Sequence, residues 1–432
     1  MSGSVTSGLG RKSYLGDIRT NWRFVLAAAA GLGSGTLLNH YTNQIFAPHL
    51  LNEFGWSRAE FAMIGALSVV TLAVIPIVGR LTDLLGVRML ATIGVISLPL
   101  SFIAFSMMSG DIKHFFIITV AQNVLCGTTT TSTVYSRLIV ARVITGRGLA
   151  LSIAASTPAV AGMIGSPLLE GLINAHGWRI GYLAVAAYVA IVGAAALMLI
   201  PGQQQVDAAQ AEVRQKPRRA ITDYAMIARS RAFWVIGGGM VLTNLIFPLQ
   251  YSQMKLMLLE MGVGVTEAAW MISLFAGGVM AGRFFCGLAL DRFEPHVVSA
   301  ICMGFPGVGL LAIAFGFHSP VILLGAVLFM GISIGAESDL AAFLAIRFFA
   351  LEIYGTVISL IVLAIGIAAA LGSVLLSVTL AMTGNFNLFL LLGGICSLSG
   401  GLLFLLLGQA SVDRGSVGEA SDHDIGIAAP CS

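Results

Sequence analysis

The sequence predicts an all-α, polytopic membrane protein whose twelve transmembrane helices form two six-helix bundles. Three observations predict it. The first is composition: of 432 residues, 57% are hydrophobic and only 10% carry charge, and the mean hydropathy is +0.93. A soluble domain of this length cannot cover its surface with so few charges. The second is the spacing of apolar runs, which charges, turn residues and caps divide into twelve. They are approximately 22–51, 58–79, 89–109, 115–140, 148–174, 178–200, 232–258, 267–290, 297–316, 320–346, 355–381 and 386–407. About 20 residues cross a bilayer as a helix, and the longer runs allow tilt. The third is an internal repeat. Gly148 to Ser152 and then Gly165, Ser166, Leu168 and Leu169 return as Gly355 to Ser359 and then Gly372, Ser373, Leu375 and Leu376, at one constant offset. Gly79 and Asp83 return as Gly287 and Asp291 at nearly the same offset. Parallel repeats of six helices with a site between them are one way to build a membrane carrier.

The repeat sets the domain boundaries. Residues 1–21 are a polar N-terminus, 22–200 the first bundle, 201–231 a linker, 232–408 the second bundle and 409–432 a polar tail. The run after residue 21 is too long for a signal peptide, so an uncleaved N-terminus is expected. Orientation follows from basic residues in short loops. Arg11, Lys12, Arg19, Arg23, Arg80, Arg88, Arg142, Arg147, Arg292 and the linker cluster Arg214, Lys216, Arg218, Arg219, Arg229 and Arg231 fall on one side. The other side holds Arg58, Lys113, Arg179 and Lys255. Both termini are therefore expected in the cytoplasm, with the chain in the cell (inner) membrane. The linker's basic residues suit either a solvated connection or the anionic leaflet surface.

Several function classes are excluded. The net charge of +3 is dispersed among loops, so no nucleic-acid partner is expected. Five cysteines lack CxxC spacing and seven histidines lack HExxH, which leaves no metal site or cofactor expected. No His/Asp/Glu cluster suited to catalysis lies at one membrane face, so an enzyme is not expected. Gly31, Gly33 and Gly35 sit inside an apolar helix and read as packing, not as a phosphate loop.

Taken in order, the helices carry the following chemistry. In helix 1, His40, Asn43 and Gln44 share a face by i, i+3, i+4 spacing, beside Tyr41. His40 reads either as a proton carrier or as a satisfied structural histidine. Ser57 with Glu60 forms a capping-box start for helix 2. The loop after it holds Gly79, Asp83, Gly86 and Arg88. Gly86 permits a tight turn, and Asp83 reads as a gating group or as a static loop ion pair. In helix 4, Thr128 to Thr131 read as packing hydroxyls and Asn123 as the better cavity residue, while Arg137 suits either a gate or the interface. Helix 7 offers Asn244, Gln250 and Tyr251 to a carboxylate, and Lys255 is expected to snorkel outward.

Helix 8 organises the rest. Arg283 is the only charge between Trp270 and Leu290. A guanidinium at that depth costs at least about 2.5–3.5 kcal/mol and cannot shed its proton. It reads as an anion site, with a buried structural ion pair as the alternative. Ala276, Gly277, Gly278, Ala281, Gly282 and Gly287 let other helices approach it closely. In helix 10, Glu337 and Asp339 read as proton-coupling groups or as neutralisers of an arginine. Asp291 and Arg292 follow helix 8 as the second copy of the gating loop.

These motifs resemble the major facilitator superfamily. The stretch from Gly79 through Leu81, Asp83 and Gly86 to Arg88 is close to that superfamily's signature after helix 2, and Gly287 with Asp291 keeps part of it. Within the superfamily, four stretches are similar to the monocarboxylate porter and oxalate–formate antiporter branch. They are Phe46–Arg58, Gly146–Ala150, Gly177–Arg179, and Gly335–Leu340 with Arg347. The resemblance implies that Arg283 pairs with the substrate carboxylate. The chain is expected to be a monomeric secondary transporter of a small organic anion by alternating access, with a proton as co-substrate. An organic-anion exchanger or a carrier of aromatic or amphipathic acids are the alternatives. Two departures matter: Val279 stands where relatives often have an aspartate, and His40 where many have a lysine. Helix 11 carries no charge, so a second carboxylate anchor is missing and a monocarboxylate is favoured. With Val279 in place, Glu337 or Asp339 is expected to be the only intramembrane acid that balances Arg283.

Overall fold

In the computed structural model, residues 14–127, 129–140, 142–143, 146–200, 220–349 and 353–408 are described, without the side chains of 14, 15, 75, 76, 79, 80, 83, 133 and 220–223. Among them, nine helices are long and apolar enough to cross a membrane alone. The other three spans of the twelve are jointed, and so is one of the nine, Arg231–Glu260.

A short helix α1 (Tyr14–Thr20) precedes the first span, which is split into α2 (Trp22–Gly33) and α3 (Asn39–Phe54) by a 3₁₀ turn at Thr36–Leu38. The second span opens on α4 (Arg58–Ala62), passes a 3₁₀ turn at Met63–Leu67 and enters α5 (Ser68–Ser106). The expected capping box is present, with Glu60 N–H donating to Ser57 Oγ at 3.1 Å and Ser57 N–H to Glu60 Oε2 at 3.0 Å. α5 also contains the third span. Its one non-helical residue is Gly86, at φ 79° and ψ 161°, a conformation closed to side chains bearing a Cβ. The fourth span divides into α6 (Ile112–Leu125) and α7 (Ser132–Val140). The Thr130 hydroxyl accepts from the Thr36 N–H at 3.0 Å, so the joint of span 4 satisfies a backbone donor in the joint of span 1.

The fifth and sixth spans are α8 (Arg147–His176) and α9 (Trp178–Leu199). After α10 (Ala220–Arg229), the seventh runs as α11 (Arg231–Asn244), a π turn at Leu249–Gln253 and α12 (Met254–Glu260). Pro248, which lacks an N–H, immediately precedes the π turn. The last five are α13 (Val265–Leu290), α14 (Pro295–Ala314), α15 (Pro320–Phe348), α16 (Tyr354–Thr383) and α17 (Asn387–Phe404).

Both ends of the twelve-span array share a face with the turns at Gly86 and Asp291–Glu294, here the terminal face. The turns on the opposite face each hold a positive-φ glycine: Gly55, Gly110, Gly177, Gly262, Gly316 and Gly384. Large apolar side chains such as Leu100, Ile191, Phe285 and Leu371 stand exposed on the long spans, as a lipid-facing surface requires.

The halves meet along three seams: α8 on α13, α16 on α4 and its 3₁₀ turn, and α3 on the π turn. The first two are the same contact seen from either half, since the repeat maps span 5 onto 11 and span 2 onto 8. Within the second half, α13 and α15 touch backbone to backbone. A Cβ on Gly282 would stand 2.3 Å from Ile332 O, and one on Gly335 would stand 2.1 Å from Val279 O. Gly278 and Gly331 make the same kind of contact one turn away. Gly31 likewise stands against Tyr135 and Gly35 against Thr130, in keeping with packing as their role.

Gly335→Ala should lower thermal stability by about 1–3 kcal/mol, because overpacking pushes the two backbones apart. Gly287→Ala meets open space and should be neutral. Thermal unfolding of both variants in detergent checks the contrast.

Candidate anion site and the seam between the halves

The glycine contact of α13 with α15 sets Arg283 level with Glu337, Ser338 and Asp339. Arg283 is half-buried; its Nη1 lies 3.5 Å from Ser338 Oγ, and its buried Nε has no hydrogen-bond partner among the described residues. The charges of Glu337 and Asp339 and the hydroxyl of Tyr41 on α3 are within electrostatic reach of the guanidinium. Among the described residues no carboxylate forms an ion pair with it. Glu337 also approaches the buried Asn244, which donates to Met240 O at 3.0 Å. The arginine therefore faces two acids at a distance and keeps a donor unused.

The second group lies where α3 meets the π turn. The His40 ring stands edge-on to Tyr251 and Phe247, with centroids 5.1 and 5.7 Å away. Asn43 and Asn39 approach the Tyr251 hydroxyl. Gln44 donates across the seam to Gln250 O at 2.8 Å, and Gln250 Nε2 lies 3.4 Å from Met330 O. Asn123 is set differently, donating to Leu67 O at 3.2 Å in the 3₁₀ turn of span 2. Of the gating residues, Arg88, Asp291 and Arg292 are exposed at the terminal face. The side chains of Gly79 and Asp83 lie outside the described residues, as does Thr128.

One expectation fails. Lys255 does not snorkel: it is fully buried and pairs with the carboxylate of Glu170 on α8. The π turn just before it inserts an extra residue into the helical register and turns α12 toward the seam. Glu170 is consequently a third intramembrane acid, alongside Glu337 and Asp339. It also contacts His49 Nε2 and Asn174 Nδ2, each at 3.3 Å. A sequence signal existed, since Glu170 is the lone acid of its apolar run and Lys255 the lone charge of its own. A second cross-half ion pair joins Arg58 to Glu260 at the opposite face, where Glu260 also accepts from the Phe386 N–H at 3.0 Å.

Two hollows flank this region. A cleft of about 470 Å³ between α8 and α13 reaches Glu170 and Asn174. An apolar cavity of about 240 Å³ between α3, α8 and α9 is lined by Tyr41, Ile45, Gly162 and Val185. At the terminal face, by contrast, Gly148, Gly287 and Gly355 have no atom within 4 Å of where a Cβ would stand.

Comparison with known proteins agrees with this architecture. The sequence profile of the Major Facilitator Superfamily matches residues 24–373. Human monocarboxylate transporter 11 is 25% identical over 419 residues, covering 90% of this chain and 83% of that protein. A bacterial homologue of the human lysosomal transporter Spinster, inward-facing and occupied, shares the fold with a TM-score of 0.65. It is 15% identical, and the match covers 90% of this chain and 97% of that one. Its inward-facing, unoccupied form gives a TM-score of 0.64 at 15% identity, covering 93% and 96%.

Lys255→Met should destabilise the protein by about 3–5 kcal/mol, because Glu170 is left charged and buried without its cation. The double variant Lys255→Met/Glu170→Gln should recover most of that loss. Thermal unfolding of the three proteins in one detergent tests the pair; equal stability of the single and double variants would count against it.

Proposed function

The chain belongs to the Major Facilitator Superfamily, and from that premise we propose that it carries an organic monocarboxylate by alternating access, with proton symport. Membership makes it a membrane transporter and not an enzyme. The observation that carries the substrate reading is Arg283: a fixed guanidinium with a buried unpartnered Nε, no ion-paired carboxylate, and Tyr41 and Ser338 beside it. A planar fork of this kind matches one carboxylate in bidentate fashion. The similarity to human monocarboxylate transporter 11 supports the same class.

In this reading Arg283 binds the anion, while His40, Asn43, Asn123, Asn244, Gln250 and Tyr251 shape the pocket. Glu337 and Asp339 balance the arginine when the carrier returns empty, and one of them, or His40, takes the coupled proton. The Gly79–Arg88 loop, through Asp83 and Gly86, and Asp291 with Arg292 gate the terminal face; the excess of basic residues in its loops supports a cytoplasmic orientation for that face in a cell membrane. The cross-half contacts at the opposite face then describe a carrier closed to the outside.

The absence of an ion pair on Arg283 favours one second reading, obligate anion exchange, since an uncompensated buried cation is costly to move without substrate. Counterflow in proteoliposomes, with and without an inward pH gradient, separates the two. Symport requires that the gradient drive uptake and that an ionophore abolish it; exchange ignores the gradient but needs internal substrate.

Arg283→Lys should keep the fold and lower kcat/KM by about 10–100-fold, the loss of a charge-assisted hydrogen bond of about 1.5–3 kcal/mol. Near-normal uptake with unchanged KM would remove Arg283 from the site. Glu337→Gln should leave counterflow intact and abolish pH-driven accumulation; if accumulation survives, the proton is carried elsewhere.

A further inference from the structure

The apolar cavity of about 240 Å³ between α3, α8 and α9 has no part in the anion site at Arg283. Small residues make room for it. A Cβ on Gly165 would meet no atom within 4 Å, and Ala161 and Ala184 line the same space. Its mouth lies on the lipid side: Leu168 and Tyr188 at the rim are 67% and 39% exposed, one turn from the exposed Ile164 on α8 and Ile191 on α9. Ile45, Leu169 and Val185 are buried walls. Four hydroxyls border the hollow, and three are already spent on backbone carbonyls. Thr42 donates to Leu38 O at 3.3 Å, Ser166 to Gly162 O at 2.7 Å and Tyr188 to Gly33 O at 3.2 Å. The fourth belongs to Tyr41 and lies within electrostatic reach of Arg283. Among the described residues no charged side chain lines the space.

Such a hollow suits hydrocarbon. Water needs about two to four polar partners, and an apolar cavity without them stays dry. Left empty, the lining forfeits its dispersion contacts on that side. A dry hollow of about 150 Å³ accepts a benzene molecule, so this one has room for a longer apolar group. Because it opens among lipid-facing side chains, the hydrocarbon at hand is that of the bilayer. We propose that the cavity binds one acyl chain of a bilayer lipid, and that this chain holds the Tyr41 ring in place beside Arg283. The ring already lies against α8 at Gly162, where a Cβ would stand 2.4 Å from its Cγ. It also meets Phe275 of the second half, with centroids 6.1 Å apart. The chain supplies the contact on the side that borders the hollow. The hold on Tyr41 matters for anion binding only under the transport reading above; the chain site stands without it.

The test identifies the occupant directly. The full chain is reconstituted in dioleoylphosphatidylcholine vesicles that contain a phosphatidylcholine with a diazirine midway along one acyl chain. Light expels nitrogen, the carbene inserts into a neighbouring C–H bond, and peptide mass spectrometry locates the adducts. The wild type should carry adducts on the buried Ile45, Leu169 or Val185 as well as on the lipid-facing Ile191. Gly165→Leu places a side chain in the hollow and should lower the buried adducts several-fold while keeping those on Ile191. Ala184→Leu fills the space from α9 and serves if Gly165→Leu does not fold. Adducts on Ile191 alone in the wild type, or buried adducts undiminished in a folded filled variant, overturn the proposal. Displacement of the buried adducts by 4-phenylbutyrate also overturns it, because the tail of an acid then occupies the hollow. For Tyr41, lactate binding is measured by calorimetry in detergent. Stripping lipid should weaken it several-fold in the wild type, dioleoylphosphatidylcholine should restore it, and Gly165→Leu should need no lipid. Wild-type binding that survives stripping overturns the hold on Tyr41. If the wild type binds no lactate even with lipid present, the transport reading fails on its own, while the adducts still decide the chain site.

Discussion

The backbone contact between α13 and α15 is the constraint from which the site follows. Between helices in a bilayer there is no hydrophobic drive to associate, so close packing has to supply the attraction. Gly278, Gly282, Gly331 and Gly335 supply it by removing every Cβ that would hold the two helices apart. With carbonyl oxygens where side chains would otherwise be, the helices cannot slip past one another by a residue. Arg283 is thereby fixed opposite Ser338, within electrostatic reach of Glu337 and Asp339. Rigid placement matters for an anion site, because a guanidinium that could swing to either acid would neutralise itself.

The seams between the halves are built differently. Glycine and small side chains again allow close approach, as where Gly65 meets Ser373 and Gly366 meets Leu72. Superimposed on them are contacts that are either made or broken: Lys255 with Glu170, Arg58 with Glu260, and Gln44 with the Gln250 carbonyl. Apolar contacts slide at small cost, whereas a buried ion pair is bistable. A seam with both properties moves between discrete states, and the polar contacts decide which state is occupied.

Much of this was legible in the residues. The twelve runs, the Ser57–Glu60 cap, the turn at Gly86 and the lone Arg283 are local features whose physical meaning does not depend on distant partners. Lys255 was misread because snorkelling is the default for a lone lysine in an apolar run, and the acid that holds it inside, Glu170, lies 85 residues away in sequence. Glu170 and His49 escaped notice because what gives them meaning is a partner up to 121 residues away. The joints of spans 1 and 4 were half visible. Gly35 and Thr130 do serve packing, but at a break in the helix, where the Thr130 hydroxyl takes the Thr36 N–H.

Those joints have a mechanical consequence. An unbroken helix resists bending through its ladder of hydrogen bonds, and a joint at which side chains have taken over that ladder is a compliant point. Spans 1 and 7 are jointed at equivalent places in the two halves, between Gly33 and Asn39 and between Asn244 and Met254, and they face each other. α13, α15 and α16 run straight through. Spans 2 and 4 are jointed as well, at the 3₁₀ turn Met63–Leu67 and between Leu125 and Ser132. Bending of these spans falls on their joints before it reaches the unbroken helices on either side.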